Sequence, residues 1–320
     1  MKQVVLITAL GTVTASSIAT ELKKEDKYYI IGADINQKYE IATSLDVDEF
    51  YSFPLAADSS YIDFILDFCK EHHVCYYYAV LDKEVVNLAK HKADFDAIGV
   101  KLCIVNSEFA EICHYKDGFA KWIDEHVPDV GVKTYRVVAE IHDGDFPLFV
   151  KPIEGAASVG CSKIDSMEQL KSTIRLELIG KELIVQEYVE GRNITVDLIR
   201  NKTTGQKTQI QRVELLRNGN GCGIAVEIIH NKKLEDICNQ LMEKLDLNGV
   251  CNAEFFDCGN DSFKIIEINP RFSAGTRYSC LAGINTVKNA MLIADGKACM
   301  FGVIAYGKHF AERYEAYQMD

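Results

Sequence analysis

Strand and helix alternate along the first hundred residues, and this alternation limits the possible folds more than any other feature of the chain. Residues 4–9 (VVLITA) are an almost unbroken apolar run of strand length. Gly11 interrupts it, and residues 16–24 then carry Ile18, Ala19 and Leu22 at helical spacing. Residues 28–32 form a second strand, with Asp34 just beyond it. A helix over 62–69, a buried strand over 75–81, a helix over 85–92 and a strand over 101–105 follow. Strands separated by helices at this spacing predict a parallel, doubly wound sheet, so residues 1–107 are expected to fold as a Rossmann-like α/β domain. The turn Gly11-Thr12-Val13-Thr14 lacks the G-x-G-x-x-G pattern, which argues against dinucleotide binding there.

From residue 108 the pattern changes. Helices are predicted over 109–126, 167–178 and 234–245, and strands over 146–150, 183–189, 195–200, 209–215, 250–258 and 263–269. Consecutive strands with helices to one side predict an α+β region. The 320 residues match about two domains at ~150 residues each, and no long linker separates the two patterns. Lys and Arg number 35 against 47 Asp and Glu, a formal net charge of −12. A protein that coats nucleic acid or an anionic membrane needs a surplus of cations, so neither is expected as a partner. A local basic pocket for a phosphate-bearing ligand is compatible with this total. The eleven cysteines include no C-x-x-C pair. That removes the usual zinc and redox motifs and suggests reduced, mostly buried thiols. The apolar run near the start ends at Gly11-Thr12 without a convincing cleavage site, and no 18 consecutive apolar residues occur. A cytoplasmic location with no membrane span is the expectation.

The last two predicted strands place carboxylates. If Gly259-Asn260-Asp261-Ser262 is a four-residue hairpin loop, as its composition favours, then 258 pairs with 263. Glu254 then lies opposite Glu267, and Asn252 opposite Asn269. Directly opposed β-carbons sit ~5 Å apart, and like charges there repel unless something compensates. A divalent cation is a natural compensator, since hard oxygen ligands suit Mg²⁺ or Mn²⁺. Alternation also puts Glu267, Asn269 and Arg271 on one face, away from Ile266 and Ile268. A solvated strand face carries the same pattern, and a one-residue slip in register undoes the pairing.

Two further segments carry chemistry. Lys151 ends the buried strand FVKP, where its charge is costly unless it meets an anion. The small-residue loop EGAASVG over 154–160 lets backbone N–H groups approach phosphate, although the G-x-x-x-x-G-K-[ST] pattern is absent and a surface lysine before an ordinary turn reads the same way. The strand IVQEYVEG over 184–191 can offer alternating backbone donors and acceptors to a planar base, as can any sheet edge.

The segments CHYKDGFAKW, FPLFVKPIEGAASVG, LIVQEYVEGRNITVDLI, CNAEFFDC and IIEINPRFSAGT stand in an order that resembles the ATP-grasp superfamily. The nearest likeness is to its carboxylate–amine ligase branch, similar to the ATP-binding domain of the carbamoyl-phosphate synthase large subunit. The resemblance covers nearly the whole chain, because that family also sets a Rossmann-like domain before an α+β grasp. It implies a Rossmann-like pre-grasp domain at 1–107 and the grasp at 108–300. Within the grasp, 108–185 forms a first subdomain with a glycine-rich lid and 186–300 a second with the metal site, while 301–320 packs on the grasp.

The same resemblance implies roles. Lys116 and Lys151 hold ATP phosphates, and Glu154, Gly155, Ala156, Ala157 and Ser158 belong to the lid. Gln186, Glu187, Tyr188 and Val189 match the adenine hinge. Asn193 takes the ribose position, where relatives often carry glutamate. Glu254, Glu267 and Asn269 match the ligands of Mg²⁺ (or Mn²⁺), two ions being implied. Arg271 matches the arginine on the transferred phosphate, and Arg212 one near the substrate carboxylate. Leu10–Thr14 (residues 10–14), Asp34, Leu81 and Asp82 are implied to line a substrate cleft. The implied reaction phosphorylates a small-molecule carboxylate with ATP and couples it to an amine; a homodimer is the assembly considered, with the oligomeric state left open. Activation of bicarbonate to carboxyphosphate, or a non-catalytic nucleotide sensor, are the alternatives.

Overall fold

The alternating first third forms five parallel strands. In the computed structural model, which describes residues 2–155 and 159–319, these are β1 (Gln3–Ile7), β2 (Tyr28–Asp34), β3 (Glu49–Ser52), β4 (Val74–Tyr78) and β5 (Lys101–Leu102). Their order is β3-β2-β1-β4-β5, and every pair is parallel. The crossovers carry α1 (Val13–Lys23), α2 (Tyr61–Glu71), α3 (Asp82–Lys90) and α4 (Lys92–Ala97). Thr12 caps α1 by accepting the Ala15 N–H at 3.2 Å. The strand order reverses between β1 and β4, and the crevice beyond the carboxyl ends of strands at such a point is where doubly wound sheets bind ligands. β3 escaped the sequence pattern because it is a short, half-exposed edge strand.

The single helix predicted over 109–126 is two, α5 (Ser107–His114) and α6 (Lys116–His126). Tyr115 breaks it with an extended backbone (φ −96°, ψ 116°). The Lys116 N–H, now in the first turn of α6, donates to Ile153 O at 3.3 Å. The break therefore fixes Lys116 against the chain that follows Lys151.

A small antiparallel sheet comes next: β6 (Thr134–Tyr135), β7 (Leu148–Pro152), β8 (Ser162–Ile164) and β9 (Leu183–Glu187), in the order β6-β9-β7-β8. It has a separate core built from Tyr135, Ile141, Leu148, Val150, Ile164 and Val185, covered by Leu170 of α7 (Met167–Thr173). The helix predicted to 178 stops at Thr173 and resumes as a tight turn at Leu176–Leu178.

The largest sheet is antiparallel: β10 (Arg192–Arg200), β11 (Lys207–Arg217), β12 (Gly223–Ile229), β13 (Gly249–Asp257), β14 (Phe263–Asn269) and β15 (His309–Ala311). Their order is β14-β13-β10-β11-β12-β15. One face packs on α5, α6 and α8 (Lys232–Lys244) through Val196, Ala253, Phe255, Phe109, Ile123 and Leu241. The helices α9 (Thr276–Leu281) and α10 (Thr286–Ala294) lie beyond β14 in sequence and, like β12, were not foreseen. Both large core clusters contain residues of the parallel sheet and of this sheet together.

The β13–β14 hairpin reaches the expected pairing by an unexpected route. Beside the turn, Asp257 pairs with Phe263, one residue out of the expected register. A β-bulge at Ile266 then corrects the offset, so that Glu254 lies opposite Glu267 and Asn252 opposite Asn269. All eleven cysteines are free thiols. Among the described residues no helix is long and apolar enough to cross a membrane.

Candidate functional site

The cleft between the small and large sheets has a volume of about 550 Å³ and is lined from both sides. Period-two alternation aims Phe149, Lys151 and Gln186 of the small sheet into it while Leu148, Val150 and Val185 fill that sheet's core. From the large sheet come Asn193, Glu254, Phe256 and Glu267. Of the sequence-predicted residues, Lys116, Gly155, Glu187, Tyr188 and Val189 line the same cleft. Ala156, Ala157 and Ser158 lie outside the described residues.

The lysines converge on the carboxylates. Lys151 is 5% exposed, and its Nζ donates to Ile266 O, the carbonyl of the bulged residue, at 3.4 Å. Burial pushes its pKa down, and Glu267 opposes that shift. Lys116 Nζ donates to Gly155 O at 2.7 Å and stands 3.5 Å from Glu267 Oε2. Glu254 is held well above the usual carboxylate range by burial and then by Glu267. Asn269 Nδ2 bridges the pair, 3.2 Å from Glu254 Oε1 and 3.5 Å from Glu267 Oε1. Among the described residues no group of three or more His, Cys, Asp or Glu forms a metal cluster. The donor set is two carboxylates and one amide, the oxygen chemistry that Mg²⁺ takes, and a divalent cation would relieve the repulsion that raises Glu254. The residues fit such an ion.

The hinge is tied down by its own side chains. Gln186 donates to Thr134 Oγ1 at 2.9 Å, and Glu187 accepts the Lys133 N–H at 3.1 Å. Tyr188 carries Lys163 Nζ over its ring at 4.4 Å and approaches Phe149, centroids 6.5 Å apart. Glu154 is 3.4 Å from Lys83, in a neighbouring cavity rather than in the main cleft.

Arg271 lies at the edge of the site. Its Nε is 3.3 Å from Asp82 Oδ2, at the start of α3, and Nη2 is 3.4 Å from Asn269 Oδ1. It thus ties the carboxylate strand to the crevice of the parallel sheet. That crevice holds a cavity of about 380 Å³ lined by Gly11, Thr12, Asp34, Leu81 and Glu84.

Arg212 does not reach the cleft, and the expectation of a substrate-facing arginine is corrected. It is 1% exposed, and both Nη atoms bind Asp197, at 2.7 and 3.0 Å. Ser279 and Ser273 take its remaining reach at 2.7 and 3.0 Å. Buried charge needs this pairing, and with both Nη atoms engaged the guanidinium serves the packing of α9 on the sheet.

Two carboxylates escaped sequence reasoning. Glu214 accepts from Thr195 Oγ1 at 2.7 Å and adds to the field that raises Glu254. Glu84 accepts from Tyr61 and Tyr77, each at 2.5 Å, and from Thr8 at 2.9 Å. Only the alternation of QRVEL offered a hint for the first.

The family model described as "ATP-grasp in the biosynthetic pathway with Ter operon" matches residues 180–308, the large sheet and its flanks. Over those residues the chain matches the ATP-grasp family. The model described as "PylC-like, N-terminal domain" matches residues 5–103, the parallel sheet. Among curated proteins, the chain is 34% identical to D-alanine–D-alanine ligase of Aquifex aeolicus over 86 residues, covering 24% of this chain and 29% of that one. It is 26% identical to the carbamoyl phosphate synthase large chain of Methanospirillum hungatei over 150 residues, covering 43% and 14%. The chain spans less than half the length of the first curated relatives it matches. Among solved structures it is similar to the biotin carboxylase domain of Hydrogenobacter thermophilus 2-oxoglutarate carboxylase, determined with MgADP, ADP and bicarbonate. That match has a TM-score of 0.74 at 13% identity and covers 95% of this chain and 73% of that one. At that identity the likeness speaks for the fold.

Proposed function

We propose that this ATP-grasp protein is an ATP-dependent carboxylate–amine ligase, which phosphorylates a small-molecule carboxylate and couples the acyl-phosphate to an amine with release of ADP and phosphate. The observation that carries the reading is the convergence of Lys116 and Lys151 on the opposed pair Glu254 and Glu267. Such an arrangement stabilises phosphate charge from both sides without covalent chemistry by the protein. The relatives named D-alanine–D-alanine ligase support the same reaction class.

The roles divide by sheet. Lys151 and Lys116 bind phosphate oxygens. Gln186, Glu187, Tyr188 and Val189 hold the adenine with Phe149 beneath, and Asn193 faces the ribose. Glu254, Glu267 and Asn269 hold Mg²⁺, two ions in all, which supply Lewis-acid neutralisation of the phosphates when bound. Arg271 steadies the transferred group at the mouth of the crevice. The division into 1–107, 108–185 and 186–300, with 301–320 as a packing segment, belongs to this proposal, as does the lid role of 154–160. A closed lid keeps water from the acyl-phosphate.

Pairs of amino acids and other small carboxylates, with ATP and Mg²⁺, are screened for phosphate release, bicarbonate being one arm. Glu267→Ala is expected to lose turnover by at least ~10²-fold with an unchanged melting profile. Normal ATP consumption by that variant overturns the site, and phosphate release with bicarbonate alone replaces the carboxylate.

A further inference from the structure

A second cavity, of about 320 Å³, lies where the start of α3 meets α5 and β14. It shares Lys116, Gly155 and Glu267 with the nucleotide cleft, so whatever it holds sits beside the phosphate-facing lysine. Most of its charges are already paired. Lys83 stands 3.4 Å from Glu154, Lys116 3.5 Å from Glu267, and Asp82 Oδ2 3.3 Å from Arg271.

Two groups are left. Asp82 Oδ1 is buried without a hydrogen-bond donor among the described residues, and a buried acceptor of this kind calls for a partner. His114 on α5 lines the same cavity, with its ring edge-on to Tyr115 at 4.7 Å. Burial lowers its pKa; Asp82 and Glu154 pull the other way, while Lys83 and Lys116 add to the lowering. The ring is therefore neutral at pH 7 and free to accept a proton.

We propose that this cavity is the amine subsite of the ligase, in which Asp82 Oδ1 accepts an N–H of the incoming amine and His114 takes its proton. The proposal rests on the ligase reading above. A cationic primary amine matches a cavity whose unpaired group is a carboxylate oxygen, whereas an anionic acceptor meets Asp82 and Glu154 unfavourably. The ammonium loses one proton to a ring nitrogen of His114, and the freed lone pair attacks the acyl carbon. The C–N bond forms as the C–O bond to phosphate breaks. Phosphate leaves with both electrons of that bond and takes up the second nitrogen-borne proton. His114 then returns its proton to solvent.

The test separates the two half-reactions, using an acid and an amine found in the screen. Positional isotope exchange in bridge-labelled ATP with the acid alone reports acyl-phosphate formation. Product formation with the amine reports coupling. His114→Gln is expected to lower coupling to a strongly basic amine by on the order of 10²-fold, far more than it lowers exchange. Hydroxylamine, largely unprotonated at neutral pH, should recover the variant's coupling. Asp82→Asn is expected to raise the amine KM more than it lowers kcat. Wild-type coupling in His114→Gln, or an equal loss with hydroxylamine, overturns the assignment. Absence of isotope exchange in the wild-type enzyme with every acid overturns the ligase reading instead.

Discussion

The two walls of the cleft are built differently. The small sheet, β6 to β9, closes a core of its own around Leu148, Val150 and Val185. The large sheet shares its cores with the parallel sheet: Ile199, Ile228 and Phe272 cluster with Ile7, Leu10 and Tyr78. One wall thus packs around its own core, and the other packs continuously with the parallel sheet. Side-chain links such as Lys151 to Ile266 O and Lys116 to Gly155 O span the gap between them. The contrast teaches that Lys151 and Gln186 are carried by a sheet with a core of its own, while Glu254 and Glu267 are carried by a sheet whose core is shared with the parallel sheet.

Arg212→Ala strikes the continuously packed wall hardest. It leaves Asp197 buried and unpaired, and a loss of about 3–5 kcal/mol in global stability is expected, seen as a lower urea midpoint. A smaller loss than about 1 kcal/mol contradicts the structural role given to this arginine. Leu148→Ala, in the wall with its own core, is expected to cost about 2–5 kcal/mol at its site. Its effect should show as faster amide hydrogen exchange confined to 134–187 and a raised KM for ATP. Uniformly faster exchange over the whole chain would erase the distinction between the walls. Glu84→Gln tests the parallel sheet with the smallest effect. Burial raises the Glu84 pKa despite the hydrogen bonds from Tyr61, Tyr77 and Thr8. The native state therefore favours the protonated form, and its contribution is full below the unfolded value of about 4.3 and lost as pH rises through the folded one. The Tm difference, wild type minus variant, should shrink as pH rises from 4 to 7; growth in that interval contradicts the burial argument.

Much of this was legible in sequence where period and composition decide the outcome. The parallel sheet followed from strand–helix alternation; the facing of Glu254 and Glu267 was expected from a 258–263 pairing that is one residue off, and the bulge at Ile266 restores it. What stayed hidden depended on contacts distant in sequence. The helix break at Tyr115 is set by the Lys116 N–H meeting Ile153 O, which nothing in CHYKDGF announces. Arg212 read as substrate-facing because its partners, Asp197, Ser273 and Ser279, are scattered over more than eighty residues. His114 carried no signal, since its meaning lies in the cavity it shares with Asp82.

The bulge at Ile266 works as a vernier between a turn and a chemical site. Since it absorbs one residue of offset between Asp257–Phe263 and Glu254–Glu267, the turn at 258–262 and the spacing of the acids are independent quantities. A turn one residue shorter, with the bulge smoothed away, would bring the same two carboxylates face to face. The spacing of the acids thus tolerates either turn length, whereas the Lys151 contact to the Ile266 carbonyl belongs to the bulged form.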